Sequence, residues 1–218
     1  MNAAPSSPLR IMLVDDHPIV RRGVSEILAH AFPQASIDQV GSGGEAMALA
    51  RTQPCDIVIL DLTLPDASGL DVLKAIREAQ PRVPVLILSM HTPDQFARRV
   101  VAAGASGYLT KDTADEELVA AVTRLLRGGK YFSPQVLEQV VIGIHPDRGE
   151  RPHERLSDRE YQVLRMIGSG KTVSEIAADL TLSVKTVSTY RARVLEKMDM
   201  RTNAELTHYV VRHGLIDK

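Results

Sequence analysis

Five short apolar runs, IMLV (11–14), SIDQV (36–40), DIVIL (56–60), PVLIL (84–88) and GYLT (107–110), recur at regular intervals through the first half of the chain. Between them lie segments with helical periodicity, Ile19–His30, Glu45–Arg51, Leu70–Ala79 and Phe96–Ala103, and another, Asp115–Arg127, follows the last run. This alternation is the tightest constraint in the sequence. Parallel strands need a crossover, the crossover is right-handed, and a helix normally supplies it. Strands that read as nearly unbroken apolar runs must also be covered on both faces. Residues 9–127 are therefore predicted to form an α/β domain, a five-stranded, doubly wound parallel sheet with helices on each side.

At 218 residues the chain has room for a second small domain. Gly128-Gly129 ends the last helix, Pro134–Ile142 suits a further short one, and GIHPDRGERPHE (143–154) has linker composition, so 128–154 is expected to be a linker with a short helix. From 155 to 218 the pattern is purely helical. Ser157-x-x-Glu160, Thr172-x-x-Glu175 and Thr202-x-x-Glu205 are candidate capping boxes, and Ser183 can cap a fourth helix. Ala177 and Ala178 would let two of these helices approach closely.

Charge divides along the same line. Residues 1–150 carry 14 Lys+Arg against 18 Asp+Glu, whereas the remainder carries 12 against 9, which favours an anionic partner for the second half. Cys55 is the only cysteine, so an intramolecular disulfide is excluded. The start MNAAPSSPLR lacks an export signal, and no apolar run can span a bilayer. A cytoplasmic protein with no membrane segment is expected.

The chemistry-bearing residues of the first domain fall at strand ends. Asp15 and Asp16 follow the first run, Asp61 the third, Ser89 the fourth and Lys111 the fifth. In an open parallel sheet these C-terminal ends converge on one crevice. Taken singly, Asp15-Asp16 suits a helix start and Asp61 a turn; their joint placement points to one site. Three crowded carboxylates repel unless a cation neutralises them, and such oxygen ligands suit Mg²⁺. A carboxylate nucleophile beside Mg²⁺, an ammonium and a hydroxyl is sufficient equipment for phosphoryl transfer, roles that Asp61, Lys111 and Ser89 can fill.

VDDHPIV, ILDLTLPDASGLDVL, ILSMHTP and GASGYLTKD together resemble the receiver domain of bacterial two-component response regulators across 9–127. The resemblance implies a flavodoxin-like fold and phosphorylation of Asp61. It further implies Mg²⁺ held by Asp16, Asp61 and the Thr63 backbone carbonyl, with assistance from Asp15, and Lys111 paired with the phosphoryl group. Ser89 would shift to hydrogen-bond the phosphoryl oxygens. Tyr108, otherwise an ordinary half-buried aromatic, would swing inward. A metal-dependent phosphatase using Asp61 is the rival reading. The haloacid-dehalogenase pattern, however, places its nucleophile on the first strand and a second Asp where this chain has Thr63.

In the second domain, Thr172–Leu180 and Ser183–Met198 joined at Thr181-Leu182 have the form of a helix-turn-helix. Val187, Val194 and Met198, helped by Tyr190, form the inward stripe of its second helix; Lys185, Ser188, Thr189, Ala192 and Arg193 lie outward. The run from Leu156 to Val210 resembles the LuxR-type four-helix output domain of the NarL/FixJ class. That resemblance implies recognition of double-stranded promoter DNA by Val184–Met198 and dimerisation through Asn203–His213. Lys185, Thr186, Ser188, Thr189, Arg191, Arg193 and Lys197 are the candidate DNA-binding residues. Ser188 and Tyr190 stand where this family usually has Lys and His. The whole reads as a transcription regulator rather than an enzyme. Its expected partners are a sensor histidine kinase, promoter DNA and a second copy of itself.

Overall fold

The computed structural model describes residues 8–90, 93–134, 136–137 and 152–215. The chain divides into two compact units, with the boundary at 144/145.

The first unit contains the predicted alternation: β1 (Arg10–Val14), α1 (Pro18–Ala31), β2 (Ser36–Val40), α2 (Gly43–Thr52), β3 (Ile57–Leu60), α3 (Gly69–Ala79), β4 (Val85–Ser89), α4 (Pro93–Ala102), β5 (Gly107–Thr110) and α5 (Ala114–Leu126). The strands form one parallel sheet in the order β2-β1-β3-β4-β5. Side chains alternate across it. Ile11, Leu13, Ile57, Ile59, Leu86, Leu88 and Leu109 pack with Val24 and Leu28 of α1 and with Leu118, Val122 and Leu125 of α5. Met12, Val14, Val58, Leu60, Val85 and Ile87 are also buried, which accounts for strands apolar at every position. β2 departs from that pattern because it is an edge strand, with Ser36 and Gln39 exposed.

Register sets the site. Val14 pairs with Leu60, so Asp15 and Asp61 emerge side by side; Asp61 N–H donates to the Val14 carbonyl (2.9 Å) and Asp15 N–H to that of Val40 (3.1 Å). Ser89 pairs with Thr110, which places Lys111 next along the same crevice. Beyond Arg127 the chain stays on the sheet. Tyr131 bridges to Gly107 at the β5 edge, exchanging backbone hydrogen bonds with Ser106 and Tyr108 (3.0 and 2.9 Å). A Cβ on Gly107 would lie 2.9 Å from the Tyr131 carbonyl oxygen, so this contact needs glycine. The expected helix at Pro134–Ile142 falls outside the described residues apart from Pro134, Val136 and Leu137.

The second unit holds α6 (Asp158–Gly168), α7 (Val173–Asp179), α8 (Val184–Lys197) and α9 (Asn203–Arg212). Ser157 and Thr172 head complete capping boxes, and Ser183 accepts from the Thr186 N–H. The third expected box is only half formed. Thr202 accepts from Glu205 N–H, but the Glu205 carboxylate reaches one residue further back, to the Arg201 N–H (2.9 Å). Ala177 is buried as expected, whereas Ala178 faces solvent, since the helical step carries it off the buried face. α6 meets α9 where a Cβ on Gly168 would stand 2.4 Å from Val210 Cγ1. Among the described residues no helix is long and apolar enough to cross a membrane.

The α7–α8 turn closes with Leu182 N–H on the Ala177 carbonyl (2.8 Å) and puts Thr181 at φ 54°. A β-branched residue there is strained. Thr181→Gly should raise the stability of the helical domain by about 1 kcal/mol, read as a higher melting temperature.

Candidate functional site: an acidic crevice and an exposed helix face

The crevice is built on backbone hydrogen bonds before side chains enter. After β3 the chain folds back on itself, with Thr63 bridging Ser68 and Gly69 N–H on the Leu62 carbonyl (3.0 Å). A Cβ on Gly69 would lie 2.4 Å from Leu62 Cα, so only glycine lets α3 start against the Asp61–Leu62 backbone. Asp66, in the same loop, accepts the N–H groups of Gly43 and Gly44 (both 2.8 Å) and so ties the loop to the start of α2. An anionic acceptor is favoured at that positive helix end.

Asp15 and Asp61 are 1% and 3% exposed, and the Lys111 ammonium lies 2.7 Å from a carboxylate oxygen of each. Thr63 N–H donates to the other Asp61 oxygen (3.1 Å), and His17 N–H to Asp15 Oδ1 (2.8 Å). Asp16 is half-buried at the rim, with its Oδ1 2.6 Å from His17 Nδ1. One ligand atom from each of Asp15, Asp16, His17 and Asp61 fits within 4.8 Å of the others. Ser89, at the end of β4, is fully buried. Tyr108 is 2% exposed rather than half-buried, and its backbone is bonded to Tyr131 at the sheet edge.

The electrostatics are strained. Burial pushes the Asp61 carboxyl up from its ordinary 3.8, and Asp15 adds to the push, while Lys111 and the Thr63 N–H oppose it without cancelling it. Desolvation alone would lower Lys111, yet the Asp61 and Asp15 carboxylates outweigh it and hold the ammonium above its ordinary 10.5. One lysine does not balance three carboxylates. Like charges about 5 Å apart repel by about 3 kcal/mol at an effective dielectric constant of about 20. Asp16 Oδ1 is buried and receives no hydrogen bond from the described residues. The three carboxylates offer hard oxygen donors with an excess of negative charge, with the His17 nitrogen at the exposed side of the cluster, and the oxygens fit a small divalent cation.

On α8, Val187, Val194 and Met198 are buried and Tyr190 half-buried, while Lys185, Ser188, Thr189, Ala192 and Arg193 are exposed, as the periodicity requires. The other candidates are engaged within the domain. Thr186 pairs through its hydroxyl with Ser183 (2.8 Å), and Arg191 Nε donates to Asn203 of α9. Lys197 donates to Glu160 Oε2 (2.7 Å). Glu160 is 2% exposed and closes the α6 capping box from within the core. Burial would raise its carboxyl, but Lys197 and the Ser157 backbone and hydroxyl hold it below its ordinary 4.5. His17 and Glu160 had only local meanings in the sequence, a helix start and a cap; their partners are known only once the chain is folded.

The comparisons with known proteins agree with this geometry. Residues 11–123 match the family model described as response regulator receiver domain, and residues 154–210 that of bacterial regulatory proteins, luxR family. Response regulator UvrY of Escherichia coli (strain K12) is 35% identical over 208 residues, 95% of each chain. Response regulator GacA of Pseudomonas aeruginosa is 35% identical over 210 residues, 96% of this chain and 98% of the relative. Among solved structures, a LuxR-family two-component response regulator from Aurantimonas sp. SI85-9A1 (38% identity, TM-score 0.57) covers 63% of this chain and 98% of its own. RcsB from Salmonella enterica serovar Typhimurium, bound to promoter rprA with phosphomimetic BeF3-, shares the fold at 23% identity and TM-score 0.61, over 94% of this chain and 99% of its own. The chain belongs to the LuxR-type (NarL/FixJ) two-component response regulators, phosphorylation-controlled transcription regulators that join a receiver to a helix-turn-helix domain.

Two stability predictions follow from the charges. A carboxyl whose folded pKa is raised costs stability when ionised, and the cost disappears as pH falls toward its unfolded value. Without metal, Asp61→Asn should therefore melt a few degrees above wild type at pH 7, roughly 2–4 °C per kcal/mol for domains of this size, and the gap should close as pH approaches 3.8. Glu160 has the opposite sign. Its depressed pKa contributes stability present above 4.5 and lost as pH falls through the folded value. Glu160→Ala should cost the helical domain about 2 kcal/mol at pH 7 and flatten its acid transition in denaturant titrations.

Proposed function

We propose that Asp61 is the phosphoacceptor, that a sensor histidine kinase supplies the phosphoryl group, and that the aspartyl phosphate controls promoter binding by α8. The observation that carries this reading is the Lys111 ammonium 2.7 Å from both Asp15 and Asp61 in a buried crevice of carboxylates. In transfer, an Asp61 oxygen forms a bond to phosphorus as the bond from phosphorus to the kinase histidine nitrogen breaks. Lys111 is placed to follow the incoming oxygens, which takes one carboxylate partner from it and leaves Asp15 as the other. Ser89 is the hydroxyl donor for a phosphoryl oxygen, and buried Tyr108 repacks with it. Asp16, Asp61 and the Thr63 carbonyl, with Asp15 beside them, would hold Mg²⁺, which neutralises developing charge on the phosphoryl oxygens. Catalysis by this chain is limited to accepting phosphoryl groups from small donors and hydrolysing its own acyl phosphate.

For DNA, exposed Lys185, Ser188, Thr189 and Arg193 form the contact face for the double-stranded promoter. Thr186, Arg191 and Lys197 hold that helix through the cap, α9 and α6. Phosphorylation shifts the protein toward a homodimer that occupies paired half-sites. The single cysteine, Cys55, and apolar runs too short to cross a bilayer support a cytoplasmic location.

Wild type and Asp61→Asn incubated with Mg²⁺ and acetyl phosphate should separate cleanly by intact mass, with only wild type gaining a phosphoryl group and binding promoter DNA more tightly. Equal stimulation of Asp61→Asn would contradict the assignment. Arg193→Ala should weaken DNA binding and lower the slope of log affinity against log salt by about 1. Lys197→Ala should leave that slope unchanged and destabilise the domain instead.

A further inference from the structure

We infer that Arg21 is a positioning residue for the acidic loop: its guanidinium, reaching back from α1, orients Asp15-Asp16 for the divalent cation. This inference rests on the cation site proposed above.

Each polar group of Asp15 has a close partner, the one at Oδ2 being an ion pair rather than a hydrogen bond of regular geometry. Its N–H donates to the Val40 carbonyl (3.1 Å), Oδ1 accepts from the His17 N–H (2.8 Å), and Oδ2 meets the Lys111 ammonium (2.7 Å). The remaining group, the Asp15 main-chain carbonyl, accepts from Arg21 Nη1. That carbonyl belongs to the peptide joining Asp15 to Asp16, so its orientation sets where Asp16 starts. Asp16 is held more loosely: its Oδ1, like Asp15 Oδ2, receives no hydrogen bond of regular geometry from the described residues, but its ion-pair partner is the 60%-exposed His17 ring (2.6 Å) rather than the buried Lys111 ammonium.

The start of α1 explains why a distant side chain has this task. Its N-cap residue, His17, makes no side-chain cap, and Pro18 opens the helix without an N–H. The loop between β1 and α1 is therefore held by Asp15 at one end and by Arg21, one turn into the helix, at the other. Arg21 N–H bonds to the His17 carbonyl (3.0 Å) while its side chain spans back to Asp15. Gly41, just past β2, lies beside the same guanidinium: a Cβ there would be 3.6 Å from Nη1, so β2's end forms a wall along its path.

The sign of the effect separates positioning from charge. A cation near three carboxylates opposes a metal ion, so if Arg21 acted through charge alone, neutralising it would tighten Mg²⁺. If it orients the loop, removing it loosens Mg²⁺, by about tenfold as for other groups that orient metal ligands. Arg21→Met keeps the apolar stem and removes both charge and donor; Arg21→Lys keeps charge and a shorter donor. Calorimetric Mg²⁺ titration of the full chain should give a Kd about tenfold weaker for Arg21→Met and an intermediate one for Arg21→Lys. In metal-free protein, amide exchange at His17, which reports the Asp15 carboxylate contact, should accelerate in Arg21→Met, with melting temperature confirming the fold. Mg²⁺ binding as tight as or tighter than wild type in Arg21→Met, with His17 exchange unchanged, would overturn the inference. Wild-type Mg²⁺ affinity that is indifferent to Asp16→Asn would instead overturn the cation site itself.

Discussion

The Lys111 ammonium between Asp15 and Asp61 is the contact on which the crevice depends. It joins the end of β5 to the ends of β1 and β3, and it is the one cation in contact with both buried carboxylates among the described residues. Two aspartates at that depth without it would be left as uncompensated buried charges, a defect worth several kcal/mol. The arrangement is satisfied only in part. Asp61 remains pushed up by burial, and Asp16 presents an oxygen that no hydrogen bond from the described residues reaches. Surplus negative charge beside a buried lysine suits the cation and the phosphoryl group proposed above. Its chemistry is thus a consequence of its unfinished electrostatics.

The rest of the receiver serves to hold that balance in place. Strand register delivers Asp15 and Asp61 together, ladder hydrogen bonds continue one residue past the strands to fix their backbones, and Gly69 permits α3 to begin hard against Leu62. Tyr131 gives the same sheet a continuation at its β5 edge, bonded on both sides of Gly107 and next to buried Tyr108. The helical domain uses different means for a similar end. A buried capping glutamate and Lys197 join α6 to α8, Arg191 joins α8 to α9, and the outward face of α8 is left to Lys185, Ser188, Thr189 and Arg193.

Most of what depends on local pattern was legible in the sequence. The apolar runs became β1 to β5, Ser157 and Thr172 became full capping boxes, and Asp15, Asp61 and Lys111 could be brought together because a parallel sheet aligns its strand ends. What depends on long-range neighbours was not. The edge position of β2 and the burial of Tyr108 follow from packing between distant segments, whereas the outward turn of Ala178 and the diversion of Glu205 to Arg201 are local details that the motifs alone did not resolve. Arg21 and Asp66 carried no signal beyond surface charge, since their partners lie across a loop or on another helix. The partner of Lys197, a candidate DNA contact, was hidden for the same reason, Glu160 being 37 residues away.

If the crevice carries its phosphoryl group on Asp61 and nowhere else, mapping the modified carboxylate will show it. Protein treated with acetyl phosphate and Mg²⁺, reduced with borohydride and digested, converts an aspartyl phosphate to homoserine at the residue that carried it. The account predicts that conversion at Asp61 alone, with Asp15 and Asp16 unchanged. Homoserine at Asp15 or Asp16, or a stable phosphoryl group elsewhere in the chain with Asp61 untouched, would contradict it.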